Sequence, residues 1–138
     1  MHPPPLRDDL ATGSSATALL LIAHGSREEN ANADLYHLAE QLQKRTPYAV
    51  VEAAFLELVP PDIDQGAQQC VARGAERVIL IPYFLSAGIH VTRDLAEACR
   101  KLNAHYPQVS FRLAEPLGRH PLLIQVVLER VQQAEQQL

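Results

Sequence analysis

The sequence predicts a single doubly wound α/β domain, a four-stranded parallel sheet of order 2-1-3-4 flanked by helices. Three observations carry that prediction. Short apolar runs recur along the chain, the mark of strands covered on both faces. Each run is followed by apolar residues at i, i+3, i+4 and i+7, one buried stripe of a helix. The length of 138 residues suits one domain, not two with a cleft between them. Serial βα units with right-handed crossovers leave few arrangements, and order 2-1-3-4 is the most economical.

The elements follow in order. Residues 1–16 are proline-rich and polar and read as a flexible leader, with the domain spanning 17–138. Ala18–Ala23 is a fully apolar first strand that ends at His24-Gly25. Ser26 and Glu29 match the S-x-x-E capping box, so the first helix is expected to open there. Its buried stripe is Leu35, Leu38, Ala39 and Leu42, and Pro47 closes the unit. Tyr48–Phe55 is the second strand. Pro60-Pro61-Asp62 starts the second helix, which buries Ile63, Ala67, Cys70 and Val71 and stops at Gly74. Arg77–Phe84 is the third strand, and a loop from Leu85 to His90 leads to a third helix around Thr92. That helix buries Leu95, Ala98, Cys99 and Leu102. Val109–Leu113 is the fourth strand. The turn Pro116–Pro121 opens a last helix, expected to be buried through Leu123, Val126, Val127 and Val131.

Composition narrows the function. A formal net charge of −4 argues against general nucleic-acid or anionic-membrane binding. No apolar run approaches the ~20 residues that span a bilayer. The two cysteines, Cys70 and Cys99, lack metal-site spacing and read as small core residues. With no signal-peptide pattern in the leader, the expected location is the cytoplasm.

In an open parallel sheet, ligands lie beyond the carboxyl ends of the strands where strand order reverses. Here that point falls between the first and third strands. His24 follows the first strand, His90 follows the third, and Glu57 lies on the same rim just past the second. Two imidazoles and a carboxylate suit a divalent ion such as cobalt, iron, nickel or zinc. Read singly, each is equally a hydrogen-bonded or solvated loop residue. Arg27, Arg93 and Arg119 fall at expected first turns of helices on that rim. Helix N-termini attract anions, so cations placed there point to a ligand bearing several carboxylates or phosphates. Exposed solubilising charge is the competing explanation for each. Glu28, Glu29 and Asp94 read as ordinary first-turn acids.

Four segments then show a resemblance. LLIAHGSREENANADL (Leu20 to Leu35), AFLELVPPDI (Ala54 to Ile63), VILIPYFLSAGIHVTRDL (Val78 to Leu95) and EPLGRHPLL (Glu115 to Leu123) resemble the small sirohydrochlorin chelatases. These CbiX/SirB-type cobaltochelatases and ferrochelatases belong to the class II chelatases. The resemblance implies a chelatase-like half-lobe that inserts cobalt or iron into sirohydrochlorin, toward cobalamin or sirohaem. The ion, Co²⁺ or Fe²⁺ with Ni²⁺ as a further candidate, is a substrate, and no permanently bound cofactor is expected. It implies His24 and His90 as metal-binding and catalytic histidines, with Glu57 as ligand or base. Ser26, Arg27, Ser86, Gly88, Arg93 and Arg119 are the implied contacts to the macrocycle and its carboxylates. Longer relatives carry two such lobes in one chain, so a homodimer is the expected assembly.

Two other readings compete. One is a non-catalytic carrier of metal or tetrapyrrole using the same residues. The other is phosphoryl transfer through His24, weakened because Ala23 stands where histidine phosphatases place an arginine.

Overall fold

The computed structural model describes residues 16–137. The leader expected over 1–16 lies outside the described residues except for Ala16, whose carbonyl accepts from the Glu76 amide at 2.7 Å. The elements are β1 (Thr17–Ala23), α1 (Glu29–Arg45), β2 (Val50–Phe55), α2 (Ile63–Ala72), β3 (Arg77–Pro82), α3 (Ile89–His105), β4 (Ser110–Leu113) and α4 (Leu122–Glu135). All strands pair in parallel in the order β2-β1-β3-β4, as the apolar runs predict.

β1 is the centre of the sheet, with Leu21 level with Ala53 of β2 and Ile81 of β3. Every residue from Thr17 to Ile22 is buried, which is why this run carries no polar alternation. One face, through Leu20, Ala54, Val78, Leu80 and Phe111, packs against Ala67 and Cys70 of α2 and Leu95, Cys99 and Leu102 of α3. The other face, through Leu21, Ala53 and Phe55, packs against Leu35 and Ala39 of α1. Both cysteines are free and buried as expected, and burial pushes the Cys70 thiol up to about 12. Among the described residues no helix is long and apolar enough to cross a membrane.

Three local expectations need correction. Ser26 does not cap α1. Its Oγ accepts from the Glu28 amide at 3.0 Å, while the Asn32 side chain bonds both its amide (3.0 Å) and its carbonyl (2.7 Å). Asn32 thus holds the chain in a bend, and the helix starts only at Glu29 without a side-chain cap. His90 is not a loop residue. α3 opens at Ile89 with Gly88 as N-cap, which puts His90 in the first turn.

The last helix departs furthest. No residue of α4 is buried, and Val126, Val127 and Val131, expected in the core, are 46%, 60% and 47% exposed. Its apolar stripe exists, but this chain's own sheet does not cover it.

The capping box is found at α2 instead. Asp62 Oδ1 accepts from the Gln65 amide and Gln65 Oε1 accepts from the Asp62 amide, both at 2.8 Å. Asp62→Ala takes the side-chain acceptor away from the Gln65 amide and is expected to cost about 1 kcal/mol. Urea denaturation checks it, and an unchanged midpoint would show that the box contributes nothing.

Candidate functional site

β1 lies between β2 and β3, so strand order reverses between β1 and β3, and the loops after them bound a crevice. The pairing of β1 with β2 continues past both strands. Leu56 donates to the Ala23 carbonyl at 3.0 Å and Glu57 donates to the His24 carbonyl at 3.1 Å. This extension sets His24 and Glu57 side by side. His24 Nε2 lies 3.4 Å from Glu57 Oε1, with both side chains more than half exposed to the crevice.

Two further contacts fix the imidazole. Gly25 follows it at φ +98°, and a side chain there would overlap the Glu57 carbonyl oxygen. Only glycine allows this approach. The His24 ring also meets Phe84 edge-on, with centroids 6.2 Å apart and planes at 88°. Phe84 comes from the loop after β3, so this contact spans the switch point.

A cavity of about 410 Å³ opens here, lined by His24, Leu56, Glu57, Ile63, Val91 and Asp94. His90 is the neighbour of Val91 on the first turn of α3 and is exposed. The structure thus brings His24 and Glu57 together and places His90 on the adjoining element. Among the described residues no three His, Cys, Asp or Glu side chains stand close enough to hold a metal ion. A larger groove of about 500 Å³ lies between α2 and α3 and contains none of the rim residues.

The arginines are partly repositioned. Arg93 lies in α3 as expected. Arg27 precedes the first residue of α1, and Arg119 precedes α4 with φ 65°. A left-handed residue cannot continue into a helical first turn, so Arg119 belongs to the turn itself. That turn is fastened over the β3 loop: Gly118 donates to the Phe84 carbonyl at 3.2 Å and packs against the Leu85 carbonyl with no room for a side chain. Leu58, also left-handed at φ 74°, projects from the rim beside Glu57. Ser26, Ser86 and Gly88 complete the rim, Gly88 accepting from the Thr92 amide at 3.0 Å.

Sequence reasoning missed Asp94 and Phe84. Asp94 lies on the cavity wall with His24 and Glu57, and its place one residue after Arg93 made it look like a surface acid. Phe84 was assigned to a strand, and nothing in its spacing signals contact with His24.

Comparison with known proteins bears on this arrangement. The CbiX family profile matches residues 18–134. The chain is 32% identical over 126 residues to the sirohydrochlorin cobaltochelatase of Priestia megaterium, covering 91% of this chain and 41% of that protein. Among solved structures, the cobalamin (vitamin B12) biosynthesis CbiX protein of Marinobacter aquaeolei superposes with a TM-score of 0.77 at 28% identity, covering 88% of this chain and 99% of that one. The sirohydrochlorin chelatase SirB of Bacillus subtilis subspecies spizizenii, in complex with cobalt, gives 0.77 at 27% identity over 85% of this chain and 50% of that one. The chain spans about half the length, or less, of the first curated relatives it matches.

Proposed function

The chain belongs to the CbiX family, and from that premise we propose that it inserts Co²⁺ or Fe²⁺ into sirohydrochlorin, in the synthesis of cobalamin or sirohaem. The observation that carries this reading is the His24–Glu57 pair, 3.4 Å apart and open to the switch-point cavity. The names of the relatives supply the substrate: sirohydrochlorin with cobalt in one and with iron in another.

Insertion strips water from the ion, forms bonds to the ring nitrogens and releases the protons of two ring N–H groups. Imidazole nitrogens bind such ions without cancelling their charge and can be exchanged for ring nitrogens one at a time. In this reading His24 and His90 hold the ion. Glu57, beside His24, serves as ligand or as the base that accepts a ring proton. Asp94 on the same wall offers a second carboxylate. Ser26, Arg27, Ser86, Gly88, Arg93 and Arg119 meet the carboxylates of the macrocycle. The protein works as a cytoplasmic homodimer, a second copy closing the side of the macrocycle that one lobe leaves open.

Anaerobic mixing with sirohydrochlorin and Co²⁺ or Fe²⁺, followed by the absorption of the macrocycle, is the test. Catalysis gives many turnovers per chain above the rate of the mixture without protein. A rate no faster than that mixture removes the enzyme reading. Stoichiometric retention of metal or macrocycle without turnover replaces it with a carrier.

A further inference from the structure

We propose that Asn32 is a positioning residue for the crevice: its carboxamide clamps Ser26 and so holds His24 beside Glu57, which matters on the reading above that His24 holds the ion.

The clamp is a pair of hydrogen bonds. Asn32 Nδ2 donates to the Ser26 carbonyl at 2.7 Å, and Asn32 Oδ1 accepts from the Ser26 amide at 3.0 Å. One side chain thus engages both backbone groups of one residue, as a facing residue of an antiparallel strand does. Asparagine suits the task because its carboxamide carries a donor and an acceptor side by side. The Ser26 Oγ accepts from the Glu28 amide at 3.0 Å, so Ser26 is held at three points.

These bonds fasten the far end of a short arch. At its near end the His24 carbonyl accepts from the Glu57 amide at 3.1 Å. Between the ends stands Gly25 at φ +98°, pressed on the Glu57 carbonyl with no room for a Cβ. That contact stops the arch from closing further on Glu57 and does nothing to keep it from opening. Asn32 supplies the restraint against opening. It lies one turn before Leu35 on α1, and Leu35 and Ala39 pack in the core against the sheet. The 3.4 Å approach of His24 to Glu57 is thereby tied to a seated helix.

Two other carboxamides make bonds of this kind, and the contrast assigns the role of Asn32. Asn103 of α3 donates to the Phe111 carbonyl at 3.0 Å and accepts from the Phe111 amide at 2.8 Å. Gln43 of α1 donates to the Tyr48 and Ala49 carbonyls and accepts from the Val51 amide at 3.1 Å. Phe111 and Val51 belong to β4 and β2, the outer strands, whose backbone lacks a neighbouring strand on one side. There the carboxamide stands in for the missing strand. Ser26 lies beyond the end of β1 and belongs to no sheet edge. It is partly exposed, and water can serve its amide and carbonyl. Sealing an edge therefore does not account for this clamp. What it fixes is the place where the chain leaves the sheet with His24.

Asn32→Ala and Asn103→Ala remove matched clamps, one at the crevice and one on the sheet edge. Both variants are expected to melt below wild type. Asn32→Ala is expected to weaken the binding of Co²⁺ alone, read by calorimetry on the full chain, and to slow insertion, each about 10- to 100-fold. Asn103→Ala is expected to change neither. NMR relaxation of the metal-free chain gives a second readout. The order parameters of the Gly25 and Ser26 amides are expected to fall from about 0.85 to below about 0.6 in Asn32→Ala alone. Wild-type Co²⁺ affinity in Asn32→Ala, or unchanged order at Gly25 and Ser26, overturns the assignment. Equal losses of Co²⁺ affinity in the two variants also overturn it, since they mean general loosening. Asn32→Asp keeps the acceptor and loses the donor, so an intermediate loss is expected. Should Asn32→Ala not fold, Asn32→Asp decides by the same criteria. A wild type that neither binds nor inserts Co²⁺ overturns the chelatase reading, and the relaxation data then decide the positioning by themselves.

Discussion

His24→Ala is expected to lower the insertion rate by more than about 100-fold while leaving the fold intact, because it removes the side chain that faces both Glu57 and the cavity. The imidazole is 60% exposed. Among the described residues its one ring contact is the edge-on approach to Phe84, so little packing is lost. Thermal melting within a few degrees of wild type, together with absence of the product spectrum, is the expected pair of results. His90→Ala is expected to behave alike. Normal turnover in either variant would remove that histidine from the metal site.

Gly25→Val should have the largest effect on stability. At φ +98° a branched residue is strained wherever it points. Its Cβ would also overlap the Glu57 carbonyl oxygen and crowd the Phe55 Cβ at 3.2 Å. Both obstacles are backbone or a buried strand residue, so neither can swing aside. A loss of about 3 kcal/mol or more in urea denaturation is expected, and any folded fraction should be inactive because Glu57 is displaced from His24. Gly88→Ala is the control. Nothing lies within 4 Å of the added atom and its backbone is extended, so the only expected cost is that of alanine at the N-cap, below about 1 kcal/mol. Equal losses at the two positions would mean that close packing at Gly25 is not what demands glycine.

The sheet was legible because burial on two faces leaves an unmistakable record. Thr17 to Ile22 has no polar residue facing water, so no other element type suits a run that short. Strand order followed from connection length and handedness alone. Helix starts were less secure, since a cap is a competition among neighbours. Ser26 has the right partner in Glu29, yet the Asn32 amide reaches it first. α4 marks a deeper limit. Periodicity records that Val127 and Val131 face something apolar, and it is silent on whether that surface belongs to the same chain.

The candidate site divides along the same line. His24 and Glu57 were legible because each ends a strand and the register of neighbouring strands is fixed. Asp94 and Phe84 were not, because Asp94 stands on a helix and Phe84 on the loop past the end of β3, where strand register no longer sets a residue's place.

The buried cysteines carry a consequence for traffic through the crevice. Thiolates are the strongest protein traps for late first-row divalent ions, and a protein that must release its ion gains nothing from one. Both thiols of this chain lie in the core, and desolvation raises the deprotonation range of each, Cys70 to about 12. Under the proposed function, neither competes for the ion. Among the described residues, the cavity lining offers the His24 imidazole and the Glu57 and Asp94 carboxylates. On the proposed function the crevice is a relay point, where brief residence and easy departure matter more than tight capture.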